Sequence, residues 1–276
     1  MKVAAIQMVS TPDVARNLDA AGALLAEAAA QGAQLAALPE YFCFMGHGDE
    51  AKLAIAEPPG DGPIQRFLAD AARRHGLWIV GGTLPVQSGD PLHAFNRCCV
   101  FAPDGMAAAH YDKIHLFAFD DGERRHDEAR VLRAGGAPVA LQAGPLRVGL
   151  SVCYDLRFPE LYRALMHPPC DLLCVPSAFT HPTGQAHWEL LLRARAVENQ
   201  CHVIAPAQGG RHENGRRTWG HSMIVDPWGE VLALRAEGEG VVVADLDPAR
   251  TVAVRARLPA LAHRRLMKDD PPVRGS

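Results

Sequence analysis

The chain lacks a long apolar run. No stretch reaches the roughly 18 residues that a membrane-spanning helix requires. Its first residues, Met1-Lys2-Val3-Ala4-Ala5-Ile6-Gln7-Met8, turn polar too soon for an export signal. They read as a first strand, and a cytoplasmic location is the expectation. An excess of positive charge is also missing: 28 Lys and Arg face 31 Asp and Glu, for a net charge of −3 over 276 residues. Nothing draws the chain to a phosphate backbone, so nucleic acid is not an expected partner. The pairs Arg216-Arg217 and Arg264-Arg265 read as solvated faces or helix ends. A disulfide framework is lacking too. The seven cysteines are odd in number, and Cys98 and Cys99 point to opposite faces of any strand.

Several motifs are absent. There is no glycine-rich strand–turn–helix fingerprint, which excludes a dinucleotide or P-loop site. The thirteen histidines contain no His-Glu-x-x-His. Cys170 and Cys174 enclose Asp171-Leu172-Leu173, a strand-like segment with no second ligand pair of zinc spacing. Gly220-His221-Ser222-Met223-Ile224 lacks the last glycine of a nucleophile elbow. No metal or organic cofactor is implied.

What is present is ordinary globular composition, with 48% hydrophobic and 21% charged residues, long enough for one large α/β domain. Helical periodicity covers 14–30, with Leu18, Ala21, Leu25 and Ala28 on one face, a capping segment Thr11-Pro12-Asp13 before it and Gly32 after it. Further helices are predicted near 64–74, 160–166 and 185–199. Strands are predicted at 2–8, 35–38, 77–80, 95–101, 106–111, 139–142, 146–152, 172–175, 202–205, 223–225 and 231–234. Asp104-Gly105 and Asp226-Pro227-Trp228-Gly229 mark hairpins, since glycine accepts the positive φ of the turn. Strands alternating with helices, plus hairpins, predict a mixed-sheet α/β layered domain. No core is evident after Leu258.

Three strand ends carry reactive side chains. Cys153 follows the apolar run 146–152 and precedes a helix opening near Pro159, where free backbone N–H groups can meet an oxyanion. A buried small hydrophobe is the alternative for this cysteine. Glu40 follows Leu35-Ala36-Ala37-Leu38-Pro39, and a helix cap or a loop acid would explain it alone. Lys113 interrupts an apolar stretch, where a snorkelling edge lysine is the alternative. Together they offer an acid/base, a cation and a thiol. That grouping suits acyl transfer, because a thiol of pKa ~8.5 is only a few per cent thiolate at neutral pH and needs a base.

The segments Leu38-Pro39-Glu40, Tyr111-Asp112-Lys113-Ile114-His115-Leu116-Phe117 and Val152-Cys153-Tyr154-Asp155-Leu156-Arg157-Phe158-Pro159-Glu160 resemble the three signatures of the carbon–nitrogen hydrolase (nitrilase) superfamily. The likeness continues through Pro176-Ser177-Ala178-Phe179, His187-Trp188-Glu189, Arg193-Ala194-Arg195-Ala196, Glu198-Asn199 and the stretch from Gly220 to Gly229. It leaves only the last dozen residues outside. The later segments resemble the branch of amidases acting on deaminated glutathione or on short ω-amides such as 2-oxoglutaramate.

The resemblance implies a four-layer α-β-β-α sandwich, a single domain over 1–265 with a C-terminal tail at 266–276, and a homodimer or larger homo-oligomer. It implies catalysis by Glu40, Lys113 and Cys153 through a thioester, with the backbone N–H of Tyr154 beside the oxyanion. A second glutamate maps to Glu128, with Glu123 and Asp127 as neighbouring alternatives. Arg157 is the candidate for a substrate carboxylate, or else a salt-bridge partner of Asp155 or Glu160. Phe179 and Thr180 follow another strand end and line the expected pocket, although core packing explains Phe179 as well. Tyr41, beside Glu40, is open to either reading. Relatives that split nitriles or carbamoyl groups, and an inactive binding scaffold, stand as alternatives.

Overall fold

The strand Lys2–Gln7 shows how the layers form. Successive side chains of a strand point to opposite faces. Val3 and Ala5 join one core cluster with Val148 and Leu150, whereas Ala4 and Ile6 join another with Ala21, Leu25 and Ala28. Both faces of this strand are therefore buried, one against a second sheet and one against a helix. The computed structural model describes residues 1–120 and 125–265. The expected tail at 266–276 and the alternative acid Glu123 lie outside them.

The first half of the chain builds β1 (Lys2–Gln7), α1 (Val14–Ala30), β2 (Leu35–Ala37), α2 (Ala51–Ala54), α3 (Pro63–His75) and β3 (Trp78–Val80). It continues with β4 (Leu84–Asp90), β5 (His93–Phe101), β6 (Ala107–Asp112) and the short pair β7 (Ala118–Asp120) and β8 (Arg125–Asp127). The second half builds β9 (Val139–Ala143), β10 (Leu146–Leu150), α4 (Pro159–Ala164), β11 (Leu172–Cys174), α5 (His181–Asn199) and β12 (His202–Ala205). It ends with β13 (Ser222–Val225), β14 (Val231–Arg235), β15 (Gly240–Asp245) and α6 (Pro248–Arg257).

Two mixed sheets result. One has the order β15-β1-β2-β3-β5-β4, with β6 paired to β5, and the other the order β14-β13-β12-β11-β10-β9. Each has three parallel strands at its centre, β1-β2-β3 and β10-β11-β12. The sheets face each other, with α1 and α3 outside the first and α4 and α5 outside the second. This is the four-layer α-β-β-α sandwich. Among the described residues no helix is long and apolar enough to cross a membrane.

The local expectations hold where local chemistry decides. Asp13 caps α1 by accepting the Arg16 N–H at 3.2 Å, and Gly76 closes α3 at φ +63°, a conformation glycine adopts without penalty. The alternation of strands and helices did not fix the number of sheets, and the strands divide between the two that the family resemblance implied. Helix α5 begins at His181, four residues before the predicted start, with Pro182 in its first turn, where proline's missing N–H costs nothing. Strand β15 and α6 went unpredicted, and β15 pairs antiparallel with β1 from Lys2↔Asp245 to Gln7↔Gly240.

For the site, the strand ends matter. Glu40 follows β2, Cys153 follows β10 and Lys113 follows β6. The carboxyl ends of central parallel strands in both sheets thus open on one region, the usual place for a site in α/β proteins.

Candidate active site

Lys113 lies at the centre. Its side chain is fully buried, and its Nζ sits 2.9 Å from Glu40 Oε1 and 2.8 Å from Glu128 Oε2. A snorkelling edge lysine is therefore overturned: this ammonium is held between two carboxylates. Glu40 Oε1 also accepts a hydrogen bond from Asn96 Nδ2 at 2.9 Å. Both donors use the same oxygen, leaving Oε2 free of either. Glu128 is fixed from the other side. Its Oε1 accepts the Tyr41 hydroxyl at 3.0 Å and its Oε2 the Phe117 N–H at 2.8 Å. Asp127, the alternative acid, accepts the Ala129 N–H at 3.2 Å as the cap of the short turn Glu128–Arg130.

Cys153 opens a 3₁₀ turn, Cys153–Arg157, with φ +49°. A side chain at such a φ costs of order 1–3 kcal/mol and persists only where its surroundings dictate it. Here the Cys153 N–H donates to Pro176 O at 2.9 Å. Asp155 clamps the same turn, accepting from the Val152 N–H at 2.8 Å, the Tyr111 hydroxyl at 2.7 Å and the His115 N–H at 3.0 Å. The His115 ring reaches Asp155 Oδ1 through Nδ1 at 2.7 Å and stacks on Phe158 at 3.7 Å. The Tyr154 N–H lies in the first turn, where N–H groups have no intrahelical partner, and among the described residues no backbone carbonyl outside that turn accepts it.

The charges follow from burial and pairing. Burial pulls the Lys113 ammonium down, but Glu128 and Glu40 outweigh it and hold its pKa well above that of an ordinary lysine. Burial pushes Glu128 up, but Lys113 and Lys52 outweigh it, and the carboxyl titrates below its ordinary range. The Cys153 thiol is pushed well up, first by burial and then by the Glu40 carboxylate, against the opposing pull of Lys113 and the Ala178 N–H. The resting sulfur is thus a neutral thiol in the same cleft as the Glu40 carboxyl. Attack then requires a base at hand rather than a standing thiolate.

A cleft of about 360 Å³ brings every predicted side chain together: Glu40, Lys113, Glu128, Cys153, Tyr154, Arg157, Phe179 and Thr180 all line it. The ion pair considered for Arg157 is not formed. Its guanidinium lies 3.3 Å from His187 Nδ1 and over the rings of Tyr154 and Phe179, with no carboxylate partner among the described residues. Phe179 serves both expected roles, lining the cleft while packing on Trp188 at 4.9 Å. Thr180 caps α5, and its hydroxyl meets that of Thr183 at 2.8 Å.

Tyr41, which the sequence left open, lines the cleft, at φ +55°. Sequence reasoning missed other lining residues. Arg216, read as part of a solvated pair, lines the cleft as well, while Arg217 is exposed and pairs with Glu237 at 3.3 Å. Asn96 carried no signal, standing beside Arg97 in a strand where polar residues already occur. Among the described residues no three His, Cys, Asp or Glu side chains converge to hold a metal ion.

Comparison with known proteins gives consistent findings. The carbon–nitrogen hydrolase family model matches residues 2–256. A Synechocystis protein named deaminated glutathione amidase is 43% identical over 95% of this chain and 97% of its own length. The NitFhit protein of Caenorhabditis elegans superposes with a TM-score of 0.87 at 36% identity, covering 96% of this chain, which spans 65% of that longer one. Saccharomyces cerevisiae Nit3, described as a member of branch 10 of the nitrilase superfamily, gives a TM-score of 0.87 at 29% identity, with 96% and 97% coverage.

Proposed function

This chain belongs to the carbon–nitrogen hydrolase family and is an amidase, and we propose that it works through Cys153, Glu40 and Lys113 on deaminated glutathione. The observation that carries the reading is the convergence of one thiol, one carboxylate and one buried ammonium in a single cleft. In the proposed reaction Glu40 takes the thiol proton as sulfur attacks the amide carbonyl carbon. The oxyanion is held by the Lys113 ammonium and the Tyr154 N–H. The tetrahedral adduct collapses, the carbon–nitrogen bond breaks, and Glu40 gives its proton to the departing amine. Water then enters, loses a proton to Glu40 and attacks the thioester. The acid leaves, and the proton returns to sulfur. Glu128 keeps Lys113 in place between two acids.

The substrate follows from the relatives' name and from Arg157. Deaminated glutathione is a 2-oxo acid joined by an amide to a Cys-Gly dipeptide. Its 2-oxo acid carboxylate suits a guanidinium with no acidic partner, placed four residues after the nucleophile. The test is product formation from purified protein: 2-oxoglutarate and Cys-Gly from deaminated glutathione, ammonia from 2-oxoglutaramate and from a simple nitrile in parallel. Deaminated glutathione is expected to be preferred. Turnover of 2-oxoglutaramate alone would move the enzyme to ω-amidase, and silence on all three would remove the substrate assignment. Arg157→Gln is expected to raise KM roughly 10- to 150-fold for carboxylate-bearing amides, the worth of a charged hydrogen bond. An unchanged KM would free Arg157 from this role.

We read residues 1–265 as one domain and the protein as a cytoplasmic homodimer. All seven cysteines are free and buried, as suits a reducing compartment. Leu190 and Val197 are exposed on α5 at 68% and 48%, seven residues apart on one helical face. Arg193 between them donates to Gly229 O at 2.8 Å, and exposed Trp228 lies in that same turn. Exposed apolar side chains grouped around one arginine suit a two-fold interface. In sedimentation equilibrium Leu190→Glu should shift the mass toward the monomer. A monomeric wild-type protein, or a dimer indifferent to the substitution, would remove this reading.

A further inference from the structure

Two arginines line the catalytic cleft, and among the described residues neither has a carboxylate partner. Arg157 enters from the turn that carries Cys153, over Phe179. Arg216 enters from another wall. Its side chain makes one weak contact, Nη1 to Met45 Sδ at 3.7 Å, and it is only half-buried. A guanidinium kept at a cleft without an acid is an unspent anion site.

Arg216 also lines a second, more open cavity that adjoins the first. Its walls are the segment 44–52 and the bend at Asn214. This wall is built, not loose. Asn214 Nδ2 donates to Gly46 O at 2.8 Å and to Met45 O at 3.3 Å, while its Oδ1 accepts the Arg216 N–H at 3.0 Å. His212, buried, ties the base of the same bend to Ser10 O at 2.9 Å and to the Thr218 hydroxyl at 2.8 Å. The other cation in the cavity, Lys52, is engaged: it pairs with Asp49 at 2.7 Å and lies 4.5 Å over the Tyr41 ring. Arg216 is thus the cation left available to a ligand that extends from the cleft into the outer cavity.

We propose that Arg216 and this outer cavity form a subsite for the amine side of the substrate, reading a carboxylate at its far end. The inference rests on the amidase reading above and deepens it. The substrate class becomes amides with acidic groups on both sides of the scissile bond, an acyl acid at Arg157 and a peptide C-terminus at Arg216. A primary amide such as 2-oxoglutaramate has no amine-side chain and leaves the outer cavity empty.

The test compares 2-oxoglutaryl-Cys-Gly with the same compound ending in a carboxamide, the two differing only in the distal charge. The wild-type enzyme is expected to favour the carboxylate by about 10-fold or more in kcat/KM, mainly through KM, as losing a charged hydrogen bond implies. Arg216→Gln should bring that ratio to about one, and Arg216→Lys should restore part of it, since a lysine keeps the charge without the fork. An unchanged ratio in Arg216→Gln overturns the proposal, and so does a wild-type ratio of one. Should Arg216→Gln fail to fold, the wild-type ratio and Arg216→Lys carry the test. Turnover of 2-oxoglutaramate with neither long compound cleaved overturns the subsite while the Cys153 mechanism stands. No amide cleaved at all overturns the mechanism itself.

Discussion

Cys153→Ala should leave a folded protein with no measurable turnover, a loss on the order of 10⁵-fold or more, as when the nucleophile of a covalent hydrolase is removed. The fold should survive, because the change deletes one atom. Alanine meets the same φ of +49°, so the backbone cost is unchanged. The turn is held by Asp155 and by the bond from the Cys153 N–H to Pro176 O, neither of which uses sulfur. The stability change should stay within roughly 1–2 kcal/mol, the usual range for a small buried truncation. Cys153→Ser should be nearly as inactive. Its hydroxyl is a far weaker acid than a thiol, and the site already pushes the ionisation of this position upward through burial and Glu40. Intact-mass spectrometry gives the check: wild-type protein trapped during turnover should carry the acyl group, and Cys153→Ala should not. An adduct on the alanine variant would put the nucleophile elsewhere.

The same particulars show what the sequence could reveal. Glu40, Lys113 and Cys153 were legible because each interrupts or ends an apolar run, where a polar side chain has no local excuse. Their meeting was not legible, since it depends on two sheets packing face to face, and nothing within any single strand encodes that. The pairing of β1 with β15 joins residues more than 230 apart (Lys2↔Asp245), beyond any local pattern. Asn96 shows the limit. It sits in β5 as an ordinary pleat position, and its meaning comes from register: Arg97 faces Asp112, which brings Lys113 alongside, and the Lys113 N–H donates to Asn96 O at 3.1 Å. Glu128 was mapped by resemblance alone, with Asp127 beside it as an alternative acid. Backbone geometry separates them, turning Glu128 inward to Lys113 while Asp127 caps the short turn. Arg216 was misread because a pair of arginines looks solvated. Tertiary contacts separate the pair: Arg216 lines the cleft, and Arg217, bridged to Arg211, reaches Glu237.

Lys113→Met should cost both rate and stability, and the two losses have different signatures. Removing one oxyanion donor typically costs about 10²–10³ in kcat, and this cation also orders Glu40. Near-normal turnover would end its proposed role. The stability loss comes from what stays behind. Glu40 and Glu128 are both buried, with Lys113 between them, and breaking a buried pair typically costs about 3–5 kcal/mol through the uncompensated charge. In the wild-type protein Glu128 titrates below its ordinary range. A depressed carboxyl adds stability that is present above its unfolded pKa of about 4.3 and is lost as pH falls through the folded value. Without the ammonium, two buried carboxylates face each other and at least one must titrate upward. The folded variant then binds more protons than the unfolded chain, so its stability must fall as pH rises. Urea denaturation at pH 5 and pH 7.5 separates the cases. Wild-type protein should show no loss on this account at the higher pH, whereas Lys113→Met should be clearly weaker at pH 7.5 than at pH 5. A variant with the same midpoint at both would mean that water or a moved side chain had relieved the charge, and that Lys113 does not hold this site together.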